Sequence, residues 1–464
     1  MKRILFFLFL VLSTNLLSAQ TEKYKIAIEN FQSNYNDDKY DAVFNCFSQE
    51  MKKALPIEKT KQFLTNLKSQ AGNIKSMEFI NYQQETYAIY KTKFEKGVFA
   101  VNISLNGQNQ INGLFIKPYE ESTEATNLVN TLSNYPKEIA ETIFSKSKDF
   151  PNNTQLSIAI IQNEKTNYYG IIKINDTIKP AENQKKIFEI GSITKVFTSA
   201  VLASLVEDKK IKLTDAVNFY YPFTFKGNIK ITFESLANHT SGLPRLPENL
   251  DLSNKTNPYK NYGKAELEEY LKNLLKLENE TSKTYLYSNL GTGLLGYTLG
   301  LSQKTNFQTL LQKKIFDKYE MRNSFTSSQR LGNSLTKGLN KKGEIVSNWD
   351  FDVLFGAGGI LSTTEDLAKF VNAQFNPKNK ELELTRKTTF QIKDDTKIGL
   401  GWHKLESTNG QDLFWHNGGT GGYSSSIVMN VEEKTAVIIL SNVFDINDRI
   451  DALSYELIKK ITKK

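Results

Sequence analysis

Apolar positions in this chain follow different rhythms in different stretches, and each rhythm predicts a different element. Phe99, Val101, Ile103 and Leu105 alternate with other residues, the period of a half-buried strand. Asn106-Gly107 then predicts a two-residue hairpin, with Leu114-Phe115-Ile116 on the returning strand. Upstream, Ile26, Ile28, Phe31 and Tyr35 predict a first helix, and Val43, Phe44 and Phe47 a second. Further on, Leu156 to Ile161 and Tyr168 to Ile172 read as paired strands, and Ile193 to Val206 as a long helix. That helix is apolar on most of its circumference and belongs inside its domain. Ser425 to Met429 and Thr435 to Leu440 read as strands, and Ile446 to Ile461 as an amphipathic helix. Strands on both sides of a helical middle predict a sheet assembled from both ends of this region.

Between the two patterned regions, Tyr119 to Ser133 is polar and has no strong period. The expected organisation is therefore a small α+β module over 20–117, a linker over 118–133 and a larger α/β mixture over 134–464. Residues 1–19 form a separate class. Lys2 and Arg3 precede the unbroken apolar run Ile4 to Leu12, and Leu17-Ser18-Ala19 places small residues before Gln20. This is the pattern of a cleaved secretory signal, too short to span a bilayer, and it predicts a periplasmic or secreted protein. The alternative is a retained anchor. No second long apolar run follows, so no integral membrane segment is expected after cleavage.

Composition narrows the function classes. The 464 residues carry a formal charge of +9, which falls to +7 without Lys2 and Arg3. The charge is dispersed among Lys-Glu mixtures rather than gathered in a basic block, so no nucleic-acid partner is expected. The single cysteine, Cys46, cannot form an internal disulfide. His239, His403 and His416 have no zinc-ligand spacing, and neither a phosphate loop nor a dinucleotide fingerprint occurs. No cofactor and no metal are expected.

Three short strings supply candidate chemistry: Ser192-Ile193-Thr194-Lys195, Tyr287-Ser288-Asn289 and His416-Asn417-Gly418. Ser192 follows Gly191 at the start of the buried helix, where backbone N–H groups favour negative charge. Lys195 lies one turn on, over the same face; burial lowers a lysine pKa, and a neutral amine takes a serine proton. The alternative reading is a helix-capping serine and a surface cation. Tyr287 beside an ammonium would ionise more readily and act as base or relay, and Asn289 offers an amide to lysine and substrate. The alternative is a core tyrosine with a capping residue. His416 to Gly422 contains four glycines, which let a strand edge approach a ligand and offer an oxyanion N–H. The alternative is an ordinary glycine loop. Ser-x-x-Lys also occurs at Ser145-Lys148 and Ser334-Lys337, which open no comparable buried helix, and Tyr-x-Asn at Tyr259-Asn261, so context, order and spacing distinguish the three strings.

These strings, in this order, resemble those of the serine β-lactamase and penicillin-binding superfamily, in the branch of class C β-lactamases and D-alanyl-D-alanine carboxypeptidases. Phe188 to Lys195, Leu236 to Pro244, Gly358 to Thr363 and Gly399 to Trp402 carry the same resemblance, which runs from about Asn134 to near the C-terminus. It implies a mainly antiparallel sheet sandwiched with helices, plus an all-helical lobe, preceded here by the small α+β module. It implies Ser192 as nucleophile, Lys195 as proton acceptor and Tyr287 as base or relay. Asn289, His416, Asn417, Gly418 and Gly419 then line the substrate and oxyanion site. Many relatives carry Thr where Asn417 stands, and its hydroxyl holds a substrate carboxylate. D-amino-acid peptides and esters therefore rank above β-lactams as expected substrates. Residues 20–117 resemble the cone-shaped modules fused to exported hydrolases, which bind or dimerise, so a homodimer through this module is one expectation. The rival function is a non-catalytic cell-wall or peptide-binding protein on the same fold.

Overall fold

The computed structural model describes residues 22–83, 87–119, 128–254, 256–406 and 412–462. The expected signal segment lies outside them. The chain divides into two units, Met1–Thr123 and Glu124–Lys464.

In the first unit a helix over 22–36 is followed by helices Tyr40–Asn45, Gln49–Ala54 and Ile57–Ala71. An antiparallel sheet follows in the order β1 (Ile74–Gln83), β2 (Tyr87–Phe94), β3 (Gly97–Leu105) and β4 (Ile111–Pro118). Ile28, Phe31, Leu64, Tyr90, Val101 and Ile103 join in one core. The helices over 49–71 were not expected. Their buried positions, Thr60, Leu64, Leu67 and Ala71, are few and widely spaced among charged residues, so the apolar period is faint. Ser48 starts the first of them by accepting from the Met51 N–H at 3.1 Å. The β3–β4 hairpin exists, but the two-residue turn at Asn106-Gly107 does not. The Asn106 carboxamide oxygen accepts from the N–H groups of Gln108 and Gln110, and the left-handed residue is Asn109. The side-chain bonds stabilise a longer loop.

The second unit is built on one large sheet. Its strands are β5 (Val129–Asn130), β6 (Gln155–Gln162), β7 (Lys165–Tyr168), β8 (Ile171–Ile174) and β9 (Thr177–Pro180) from the early part. A separate two-stranded pair is formed by β10 (Phe188–Glu189) and β11 (Leu361–Ser362). The late strands are β12 (Phe390–Lys393), β13 (Thr396–Ile398), β14 (His403–Leu405), β15 (Leu413–Gly419), β16 (Ser424–Asn430) and β17 (Thr435–Ser441). The order β12-β13-β14-β15-β16-β17-β6-β8-β9-β5 joins the chain's late strands to its early ones through β17 and β6. All pairings are antiparallel except β5 with β9.

Alternation sorts the central strands onto two cores. Ile158, Ile160, Val437 and Ile439 pack with Ile143, Ile450 and Leu457 of helices Lys137–Ser147 and Asn447–Ile461. Ala159, Ile161, Ile438 and Leu440 pack with Phe197 and Val201 of helix Thr194–Glu207 and with the helical lobe beyond it. Both faces are covered, so every residue of β16 and β17 is buried. This is the expected sheet between helices, with a largely helical body over 194–316. The stretch Tyr168 to Ile172, expected as one strand, is broken at Gly170 into β7 and β8, which both pair with β6. A Cβ at Gly170 would stand 2.2 Å from the Ala181 carbonyl oxygen.

The expected linker over 118–133 ends too late. Val129–Asn130 is strand β5, and Leu132 is 1% exposed in the second unit's core. A two-residue strand leaves no period to detect. A chain beginning at Glu124 should therefore resist urea better than one beginning at Asn134. The expected difference is about 2–5 kcal/mol, the range for losing one buried leucine. Equal unfolding midpoints would show that β5 and Leu132 add nothing.

Candidate active site

Ser192 occupies a tight turn, Gly191–Ile193, that runs straight into helix Thr194–Glu207. Gly191 has φ +52°, and a Cβ on it would stand 2.6 Å from the Gly419 backbone nitrogen. A Cβ on Gly418 would stand 2.1 Å from the Ile190 oxygen and 2.8 Å from the Ser192 nitrogen. The two glycines thus let the turn lie directly on β15, with the amides of Ser192 and Gly419 at one strand edge. Ser425 Oγ donates to the Ile190 oxygen at 2.9 Å, and Asn447 Nδ2 to the Gly418 oxygen at 2.7 Å. β14 pairs only with Leu413 to Trp415, so beyond Trp415 one edge of β15 is left to the cleft.

Lys195 is fully buried. Its Nζ lies 3.0 Å from Ser192 Oγ and donates to the Ala357 oxygen at 2.7 Å. Burial, reinforced by the positive charge of Arg245, holds its pKa well below the usual lysine value. One hydrogen goes to the Ala357 oxygen, and Ser192 Oγ is the second polar partner of the amine. The helix Asn289–Ser302 positions the Ala357 carbonyl. A Cβ on Gly293 would stand 2.6 Å from Leu354 Cδ2, and one on Gly296 3.1 Å from Gly356 Cα, so the turn Phe355–Ala357 packs closely on it.

Tyr287 stands beside this pair, its ring 4.9 Å from Lys195 Nζ. The expectation that an ammonium would ease its ionisation is reversed. Burial pushes its pKa up to about 12, and a hydrogen bond with Ser192 and the Arg245 charge offset this only in part. Burial also lowers the pKa of its neighbour Lys195, which weakens the expected ammonium, and the phenol keeps its proton. His239, from the Leu236 to Pro244 string, lies under the ring with centroids 4.5 Å apart. Its Nδ1 accepts from the Ser288 N–H at 3.2 Å, which places its proton on Nε2.

The third string divides by strand alternation. His416 turns to the Tyr287 side, its ring 6.4 Å from that of Tyr287. Its Nδ1 donates to the Asn417 oxygen at 2.6 Å, and burial holds the ring neutral with a pKa well below the usual value. Asn417 turns the other way, and its Nδ2 donates to Asp451 Oδ2 at 2.6 Å. Trp415 Nε1 donates to the other oxygen of Asp451 at 3.1 Å. Asn417 is thus more than a missing threonine hydroxyl: its amide is committed to a buried carboxylate. Asn289, expected to face lysine and substrate, donates instead to the Tyr259 hydroxyl at 3.0 Å and does not line the cleft. Tyr259 is itself the first residue of a string set aside as a decoy.

A cleft of about 430 Å³ opens over these groups. It is lined by Ser192, Tyr287, the strand segment Trp415 to Gly419, and four further residues that the sequence did not single out by function. These are Arg245, Tyr285, His403 and Asn447. Tyr285 Oη and His403 Nε2 are 2.8 Å apart, and burial lowers the His403 pKa to about 4. All three histidines of the chain gather around the two tyrosines, within ring distances of 6.4 Å. No metal-binding group of carboxylates, cysteines and histidines occurs among the described residues. Arg245 directly follows the Leu236 to Pro244 string, and no local pattern marks it.

Residues 152–458 match the family model described as Beta-lactamase. Residues 29–114 match one described as a protein of unknown function, DUF3887. A Beta-lactamase of Pseudomonas fluorescens is 28% identical over 257 residues, covering 53% of this chain and 68% of that protein. Protein flp of Staphylococcus aureus strain MW2 is 24% identical over 305 residues, covering 62% of this chain and 59% of flp. A solved Beta-Lactamase/D-Alanine Carboxypeptidase structure from Pseudomonas syringae superposes with a TM-score of 0.59 at 20% identity. That match covers 70% of this chain and 98% of the other, and supports the fold.

The glycine contact is directly testable. Gly418→Ala should drive the Ile190–Ser192 turn off β15, since overpacking of this kind costs about 1–3 kcal/mol and shifts backbone. The expected outcome is a folded protein whose reaction with a fluorophosphonate slows by roughly 10²-fold or more, the scale for losing an oxyanion donor. Unchanged labelling would show that the turn and strand tolerate separation.

Proposed function

This chain belongs to the Beta-lactamase family of serine hydrolases, and from that premise we propose that it forms an acyl-enzyme on Ser192. The observation that carries the reading is the 3.0 Å contact between Ser192 Oγ and a fully buried Lys195 amine. In this reading neutral Lys195 takes the Ser192 proton as Oγ bonds to the substrate carbonyl carbon. The carbonyl oxygen becomes an oxyanion, and the amides of Ser192 and Gly419 receive it. As the tetrahedral centre collapses, the bond to the leaving group breaks. The departing atom takes a proton from Tyr287, which recovers one from Lys195. Water then enters by the reverse relay, and hydrolysis of the ester frees Ser192.

The substrates proposed are simple esters or D-amino-acid peptides ahead of penicillins. His416 is neutral and the Asn417 amide is engaged by Asp451, so this strand presents neither a cation nor a free threonine-like hydroxyl to a carboxylate. Export is proposed from the Lys2 to Ala19 pattern. No helix among the described residues is long and apolar enough to cross a membrane.

Intact-mass measurement should find one fluorophosphonate adduct, and peptide mapping should place it on Ser192. A folded, unlabelled protein would favour the non-catalytic binding reading, and a label on Ser145 or Ser334 would move the site. Tyr287→Phe should fold normally and lose roughly 10²-fold in turnover, the scale of general acid–base catalysis. A parent-like rate would make Tyr287 a packing residue.

The pH dependence has a definite sign. Protonated Lys195 has no lone pair for the serine, so kcat/KM on a neutral ester should rise with pH through the depressed Lys195 pKa. It should then stay level across neutral and mildly alkaline pH, because Tyr287 titrates only near 12. A profile that climbs to the ordinary lysine value would mean that Lys195 is solvated.

A further inference from the structure

We propose that Arg245 is a specificity-determining residue that holds a carboxylate of the substrate on the Tyr287 side of the cleft. The proposal rests on the acyl-enzyme reading of Ser192 and adds the charge of the substrate to it.

Among the residues that line the cleft, Arg245 alone carries a permanent charge. The others are tyrosines, neutral histidines, a tryptophan, asparagines, glycines and the serine. Arg245 is exposed, and no ion pair to it occurs among the described residues. Its guanidinium carbon lies 5.2 Å from the centre of the Tyr287 ring, on which it is free to keep its N–H fork for a ligand. Its carbonyl accepts from the N–H groups of Asn289 and Leu290, so the segment bearing it is fixed to the start of the helix that follows Tyr287. Across the cleft, β15 offers no cation. Behind it stands a carboxylate, Asp451, with both oxygens engaged by Asn417 and Trp415. The cleft is therefore polar in one sense: a cation at the Tyr287 side and a carboxylate behind the strand. A substrate anion is attracted to the first and repelled from the second.

The test uses two anionic esters and their neutral counterparts. Mono-4-nitrophenyl glutarate carries its carboxylate in the acyl group, against 4-nitrophenyl pentanoate. 4-(Pentanoyloxy)benzoate carries it on the leaving group, against its methyl ester. Arg245→Gln should lower the anionic-to-neutral ratio of kcat/KM about 10- to 100-fold for one pair, mainly through KM, as for loss of a charge-assisted hydrogen bond. Arg245→Lys should restore part of it. The pair that responds identifies the end of the substrate that carries the charge. Ratios within about twofold of the parent for both pairs would overturn the proposal. Calorimetric binding of the same esters to Ser192→Ala, with and without Arg245→Gln, separates the two readings. Loss of anion preference upholds Arg245 even in a parent that turns over no ester. Equal binding with and without the arginine refutes it whatever the fate of Ser192.

Discussion

A lysine amine held out of water is the constraint on which the rest of the larger unit depends. Burial disfavours the charged form of an amine, so exclusion from water shifts it toward the neutral one. Lys195 meets this by lying in a helix buried from Thr194 to Leu205. Burying that helix needs cover on every side. The sheet supplies one wall through Ala159, Ile161 and Ile438, and the helical lobe supplies the others through residues such as Phe316 and Leu294. The amine still needs polar partners, because an unpaired buried N–H costs free energy. It has two, Ser192 Oγ and the Ala357 carbonyl.

Absent side chains set the geometry of this site as much as present ones do. Gly191 and Gly418 let a turn rest on a strand at a distance that any Cβ would prevent. Gly293 and Gly296 let the helix after Tyr287 pack on the turn that carries Ala357. Gly401, in the Gly399 to Trp402 string, lies where a Cβ would stand 3.1 Å from the Lys195 carbonyl oxygen. The Gly358 to Thr363 string forms β11 against β10, just before Ser192, and the Ile360 N–H donates to Thr194 Oγ1 at 3.2 Å. Strings scattered over the sequence are thus the walls of one small volume, and each is short because only its contact with that volume is constrained.

The electrostatics follow from the same dryness. Burial disfavours the charged forms of Lys195, His239, His403 and His416 and keeps the proton on Tyr287. Against this uncharged background a single guanidinium at the rim dominates the local field, and Asp451 answers it from behind β15.

Sequence alone was enough for the strands β3, β6, β16 and β17, the helix after Ser192, and the closure of the sheet from both chain ends, because periodic burial writes itself into local order. The contact between Ser192 and Lys195 was legible for the same reason: their spacing along one helix turn is a local property. The helices over 49–71, the loop at Asn106 and the strand β5 were not, because their signals are a few widely spaced apolar residues, a side-chain hydrogen bond and a two-residue pairing. Tertiary structure alone decided which way each motif residue turned. Asn417 reaches Asp451 and Asn289 reaches Tyr259, each far away in sequence. It also decided that Tyr287 stays protonated and that Arg245 reaches the cleft. A pKa and a cleft wall are sums over everything that surrounds a group, and those surroundings exist only once distant segments have packed together.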